Sequence, residues 1–150
     1  MRPLKSFEEF IEQGTIRKSS PNKSRARSLI NESQKRKRFI DQAISKMGLS
    51  DDSANVYIEG SYDALIELIR ARMLIKGFVS SGEGAHEAEV SYMRKMEFGE
   101  RQVRFMNDLR YYRNGILYYG KEFNAEFAKK VLEFLKVIYP KLLSAFKQDT

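Results

Sequence analysis

Apolar residues recur three and four positions apart along most of this chain, and the rhythm breaks at glycines, prolines and short polar runs. That pattern predicts helices joined by brief connections. Ser6-Phe7-Glu8-Glu9 has the form of a capping box, opening a short helix that Gly14 closes. A polar, basic connector covers 17–23. A long helix follows over 24–47, with Ala26, Leu29, Ile30, Ser33, Ile40, Ala43, Ile44 and Met47 on its inner face. Gly48 stops it, and Asp51 or Asp52 caps the next start. The second long helix covers 53–78, where Tyr57, Ile58, Ser61, Leu65, Leu68, Ile69 and Ile75 keep a 3.6-residue period. Gly60-Ser61 inside it allows close approach of a neighbouring helix.

A glycine- and serine-rich loop at 80–84 leads to a shorter helix over 85–96, then a fourth over 100–119. A fifth begins near Asn124 with Phe127, Val131, Phe134, Ile138 and Leu142 inside; Pro140 removes a backbone donor and should kink or end it. There is no β-hairpin signal and no internal repeat. The expected fold is all-α, an antiparallel bundle of four to five helices. The organisation read from the chain is an N-terminal helix and connector over 1–22 and a bundle domain over 23–150.

Composition narrows the classes. At 150 residues, 42% hydrophobic and 31% charged, the chain has material for one folded domain with a substantial core. No apolar run approaches the roughly 20 residues a membrane span needs, and the N-terminus does not read as a secretory signal. Cysteine is absent and histidine occurs once, at His86. Disulfides, thiolate chemistry and multi-histidine metal sites are thereby excluded, and a cytoplasmic location is expected with no metal or cofactor. A net charge of +7 favours polyanionic partners, though a solubilising surface explains it almost equally well.

Chemistry concentrates at Leu109-Arg110-Tyr111-Tyr112-Arg113-Asn114-Gly115-Ile116-Leu117-Tyr118-Tyr119-Gly120. Arg110, Arg113 and Asn114 converge on one helical patch. Beside it Phe105, Leu109, Tyr112, Ile116 and Tyr119 form a stripe able to face a core. An arginine held against a buried stripe is partly desolvated and fixed in direction, which suits a phosphate clamp and an interface ion pair alike. Lys121 adds a cation just beyond. Tyr118 and Tyr119 are more often packing residues than functional ones, and His86, Glu87 and Glu89 are explained by a helix start and its dipole. The run Lys35-Arg36-Lys37-Arg38 reads first as solvated surface and second as an RNA-backbone contact. The tyrosines of the fourth helix are candidates for stacking on bases, with core packing the stronger reading for Tyr112.

The tracts Tyr62-Asp63-Ala64-Leu65, Lys76-Gly77-Phe78 and Gly84-Ala85-His86-Glu87-Ala88, followed by Arg113-Asn114, resemble in order and spacing the HEPN domain family, over roughly 24–143. The resemblance implies a homodimer in which an arginine, the polar residue after it and a histidine separated from the arginine by four to six residues meet across the two-fold axis on a scissile RNA phosphate. Arg113 and Asn114 match the first two positions. Tyr118, Tyr119 and Gly120 stand where the histidine would, with Tyr118 the nearest equivalent. Tyrosine titrates near 10, so serving as a base at neutral pH requires a shift of about three units, roughly 4 kcal/mol.

On a regular helix Arg113 and Tyr118 diverge by about 140°. A shared site therefore asks for deformation at Gly115 or completion by a partner subunit. The expectation is RNA or nucleotide binding by Arg110, Arg113 and Lys121. Ribonuclease activity would be weak or absent, with Arg113, Asn114 and Tyr118 at the catalytic positions. The family offers an alternative, a non-catalytic partner of a minimal nucleotidyltransferase, with Tyr118 and Tyr119 as modification candidates.

Overall fold

A computed structural model describes residues 3–148, apart from the side chain of Gln148. Among these residues there are six α-helices: α1 Phe7–Glu12, α2 Lys23–Met47, α3 Ala54–Ile75, α4 Ala85–Ser91, α5 Glu100–Tyr119 and α6 Ala125–Ser144. Two short strands, β1 Ile16–Lys18 and β2 Phe78–Ser80, and 3₁₀ turns at Tyr92–Met96 and Ala145–Gln148 complete the fold. The molecule is all-α in character, and no helix among the described residues is long and apolar enough to cross a membrane.

Helix α3 is the axis of the bundle. Fourteen of its twenty-two residues are buried, so its sequence is apolar nearly all round rather than striped. Helices α2, α4, α5 and α6 pack around it. The α2–α3 pair is antiparallel: Ser33 donates to the Ala64 carbonyl at 2.6 Å, while further along Ile40 lies against Gly60. A Cβ added at Gly60 would stand 3.2 Å from Ile40 Cδ1, which bears out the close approach expected there. Ser33 Oγ also lies 3.0 Å from the Tyr139 hydroxyl, joining α2, α3 and α6 at one buried polar point.

Local chemistry sets the boundaries. Ser6 accepts from the Glu9 amide at 3.2 Å, Asn22 from Arg25 at 3.0 Å and Asn124 from Phe127 at 2.9 Å, each capping a helix start. Neither Asp51 nor Asp52 is the N-cap of α3, a position held by Ser53; the Asp51 carboxylate instead accepts from the Ala125 amide at 2.8 Å, holding the start of α6. The 85–96 helix is shorter than expected, passing into a 3₁₀ turn at Tyr92. Pro140 does not end α6, which continues to Ser144. Met47, assigned to the inner face of α2, is 76% exposed.

The N-terminal segment over the described residues 3–22 is built into the same core. Phe7, Phe10 and Ile16 are buried with the residues of α3, and Phe7 packs edge-on against Phe78 and Tyr92. The polar connector contributes β1, which pairs antiparallel with β2 through Ile16–Ser80, Arg17–Val79 and Lys18–Phe78. Helix α3 therefore stops at Ile75, short of the expected 78, because Gly77 turns at φ +84° and Phe78 enters the ribbon.

Candidate functional site

The C-terminal half of α5 is a regular helix through Gly115. Arg110, Arg113, Asn114 and Tyr118 from it, with His86 and Glu87 from the start of α4, line an open groove of about 410 Å³. The convergence of Arg110, Arg113 and Asn114 is as the helical spacing required. Tyr118 joins them without any break at Gly115. That glycine instead makes room for the chain's return: its carbonyl accepts from Lys121, whose stem would lie 3.1 Å from a Cβ at 115.

Each arginine is fixed by its neighbours. Arg113 Nη2 meets Asp63 Oδ1 at 3.1 Å, and its guanidinium lies 5.6 Å from the centre of the Tyr62 ring. Its Nε is buried with no hydrogen-bond partner, and the side chain is 17% exposed. Arg110 donates to Asn107 Oδ1 at 3.0 Å and stands 3.6 Å from Glu87 Oε1. The groove is thus of mixed charge, since Glu83 also lines it. Arginine has five donors, and Asp63 takes only one face of Arg113.

His86, explained from sequence as a helix-start residue, lies in the groove beside the motif arginines. Its Nδ1 is 3.4 Å from the Tyr62 hydroxyl, and the two rings are stacked. Burial pushes the Tyr62 phenol far up, so it keeps its proton. A protonated phenol both donates and accepts; where it donates to Nδ1, the N–H of neutral His86 stands on Nε2. The imidazole titrates below its ordinary range because burial disfavours the cation, and Arg70, Arg113 and Arg110 add to that effect against the pull of Glu89.

Glu89, assigned to the helix dipole, has another role. It is 1% exposed and accepts from Arg70 Nε and Nη2 at 2.7 and 2.9 Å and from Ser80 Oγ at 2.7 Å. This buried fork ties α3, α4 and β2 together and so positions His86 and Glu87. Tyr62, Asp63 and His86 all fall within the tracts that carried the family resemblance, yet the contacts of Tyr62 and Asp63 with Arg113, and the place of His86 in the same groove, cross between helices and follow from no spacing along the chain.

Other expected site residues lie elsewhere. Tyr119 is 78% exposed and Tyr118 71% exposed, so neither packs in the core, and Tyr119 does not belong to the buried stripe. Lys121 and Tyr119 line a separate aromatic hollow beyond Gly115. In the run 35–38, Lys35 stands near Glu32, Arg36 donates to Glu67 and Lys37 to Asp41. No cluster of three or more metal-ligating side chains occurs among the described residues. No protein-family model, no curated protein and no solved structure matches the chain.

Proposed function

We propose that the α4–α5 groove is the phosphate-binding site of a HEPN-like RNA- or nucleotide-binding protein, a weak or inactive metal-independent ribonuclease of a toxin–antitoxin or defence system. The observation that carries this reading is the gathering of Arg110, Arg113, Asn114, Tyr118 and the single histidine on one open groove. In this reading Arg113 and Arg110 hold the phosphate through the donors their carboxylate partners leave over, and Asn114 orients it. The exposed Tyr118 hydroxyl and His86 Nε2–H donate to its oxygens. A homodimer that brings two such grooves together belongs to the same reading, supported by the family resemblance.

Arg113→Gln should weaken binding of single-stranded RNA at least tenfold by fluorescence anisotropy. Asp63→Asn should tighten it severalfold, because it removes the negative charge that competes with the phosphate while keeping an acceptor for Nη2. Unchanged affinity in both variants would remove the groove from the function. Cleavage of RNA in excess chelator, abolished by Arg113→Gln, would establish catalysis.

A second reading has its own support: the hydroxyls of Tyr118 and Tyr119 sit on the two most exposed large side chains of the α5 terminus, open to modification by a minimal nucleotidyltransferase acting as partner. Mass spectrometry after co-expression with such an enzyme would show an adenylyl group on one of them; an unmodified chain would end this version.

A further inference from the structure

Beyond Asn114 and Tyr118 the phosphate groove opens into a second hollow of about 470 Å³. Those two residues line both. The second hollow differs in chemistry: its walls are Tyr111, Tyr112, Tyr118, Tyr119 and Phe123, with Lys121 at the edge. Its size falls within the range of about 300–1,000 Å³ usual for small-ligand sites.

One wall of the hollow is a stripe of α5. Tyr111, Gly115 and Tyr118 stand at i, i+4 and i+7, so they share one stripe of α5. Between their attachment points Gly115 receives the Lys121 stem, whose Cγ would lie 3.1 Å from a Cβ there, so an aliphatic floor separates the two rings. The floor is rigid. Tyr112 packs edge-on against Phe123 at 5.4 Å and Phe127 at 5.2 Å, and Asn55 holds the following loop by bonding the Lys121 carbonyl and the Phe123 amide. Against that floor Tyr111 is 55% exposed and Tyr118 more so. Exposed rings over a fixed apolar floor, adjoining cationic donors, match a ligand with one flat apolar end and one anionic end.

We propose that this hollow is a nucleobase subsite: a nucleotide places its phosphate against Arg110 and Arg113 and lays its base against the exposed rings of Tyr111 and Tyr118. The proposal rests on the phosphate-groove reading and adds to it the part of the ligand that is recognised. Stacking of this kind is indifferent to base identity, so the subsite accepts any base and discriminates against its absence. The nucleotide is either free or part of a single strand.

The test uses the full chain, a fluorescein-labelled single-stranded oligoribonucleotide, the same oligonucleotide made fully abasic, and adenosine monophosphate. Tyr111 is exposed and outside the phosphate groove, so its replacement leaves the fold in place, as a thermal melt would check. Tyr111→Ala should weaken binding of the base-bearing strand at least fivefold, Tyr111→Phe should restore it, and the abasic strand should bind wild type and Tyr111→Ala alike.

Equal wild-type affinity for the base-bearing and abasic strands, or no loss in Tyr111→Ala, would overturn the subsite. If Arg113→Gln still weakened both strands, the phosphate groove would stand without it. If Arg113→Gln changed neither, the groove reading itself would fail. Competition by adenosine monophosphate that is lost in Tyr111→Ala would assign a free nucleotide. Base-dependent binding of the strand alone would assign a strand.

Discussion

A single imidazole surrounded by three guanidinium groups reports the electrostatics of the groove residue by residue. His86 contacts the buried Tyr62 hydroxyl, and the charges acting on it are Arg70, Arg113 and Arg110 on one side and Glu89 on the other. Burial and the arginines lower its folded pKa beneath the ordinary value of 6.5. The sign of the stability effect follows. Between the folded value and 6.5 the unfolded chain binds the extra proton, so stability is full above 6.5 and declines as pH falls through that window. Because the chain has one histidine, proton NMR of its ring should show one titration with a midpoint below 6.5, and His86→Gln should flatten the corresponding slope in denaturant unfolding. A midpoint at or above 6.5 would mean that Glu89 outweighs burial and the arginines together. At this scale the sequence revealed Arg110, Arg113 and Asn114, since they are neighbours on one helix. It could not reveal that Asp63 and Tyr62 brace Arg113 or that His86 joins it, because those contacts depend on how α3, α4 and α5 pack.

The elements themselves were far more legible. The cap at Ser6, the helix start at Asn124 and the stops at Gly14 and Gly48 lie within a residue or two of the helix ends. Such signals act locally, through backbone groups that only nearby side chains can satisfy. The β1–β2 ribbon was not legible: two three-residue strands sixty positions apart carry neither a turn nor a length of alternating pattern. Gly77 is where that ribbon depends on a single residue. Its φ is +84°, and a Cβ there would meet the Ser19 carbonyl oxygen at 2.7 Å, while its own carbonyl accepts from Ser19 at 2.8 Å. Gly77→Ala should therefore cost about 2–3 kcal/mol, from left-handed backbone strain and the displaced strand together. Chemical denaturation would measure it. Gly14→Ala, also at positive φ but with open space around it, should cost only about 1 kcal/mol. Equal losses at the two positions would show that the Ser19 contact contributes nothing.

For the whole molecule the question is where a net charge of +7 meets a polyanion. Composition suggested two surfaces, the α5 arginines and the basic run of α2, and could not rank them because charge counts ignore partners. In the folded chain the α2 run is largely answered: Lys35 stands near Glu32, Arg36 binds Glu67 and Lys37 binds Asp41. The α5 arginines also have carboxylate neighbours, but they lie in a concave groove where a phosphate can collect several donors at once. Counterion release separates the two surfaces, since each phosphate neutralised on a single strand adds about 0.7 to the salt slope of binding. One phosphate held jointly by Arg110 and Arg113 should give a log–log slope of about −0.7 for single-stranded RNA, whereas two further phosphates at Lys35 and Arg38 would bring it to about −2.1. Anisotropy titrations across a salt series decide between them. With the groove as the contact, Arg113→Gln brings the slope toward zero and the Lys35→Gln, Arg38→Gln double variant leaves it unchanged. A steep slope that relaxes only in the double variant would move the RNA from the groove to the outer face of α2, and with it the functional reading of the molecule.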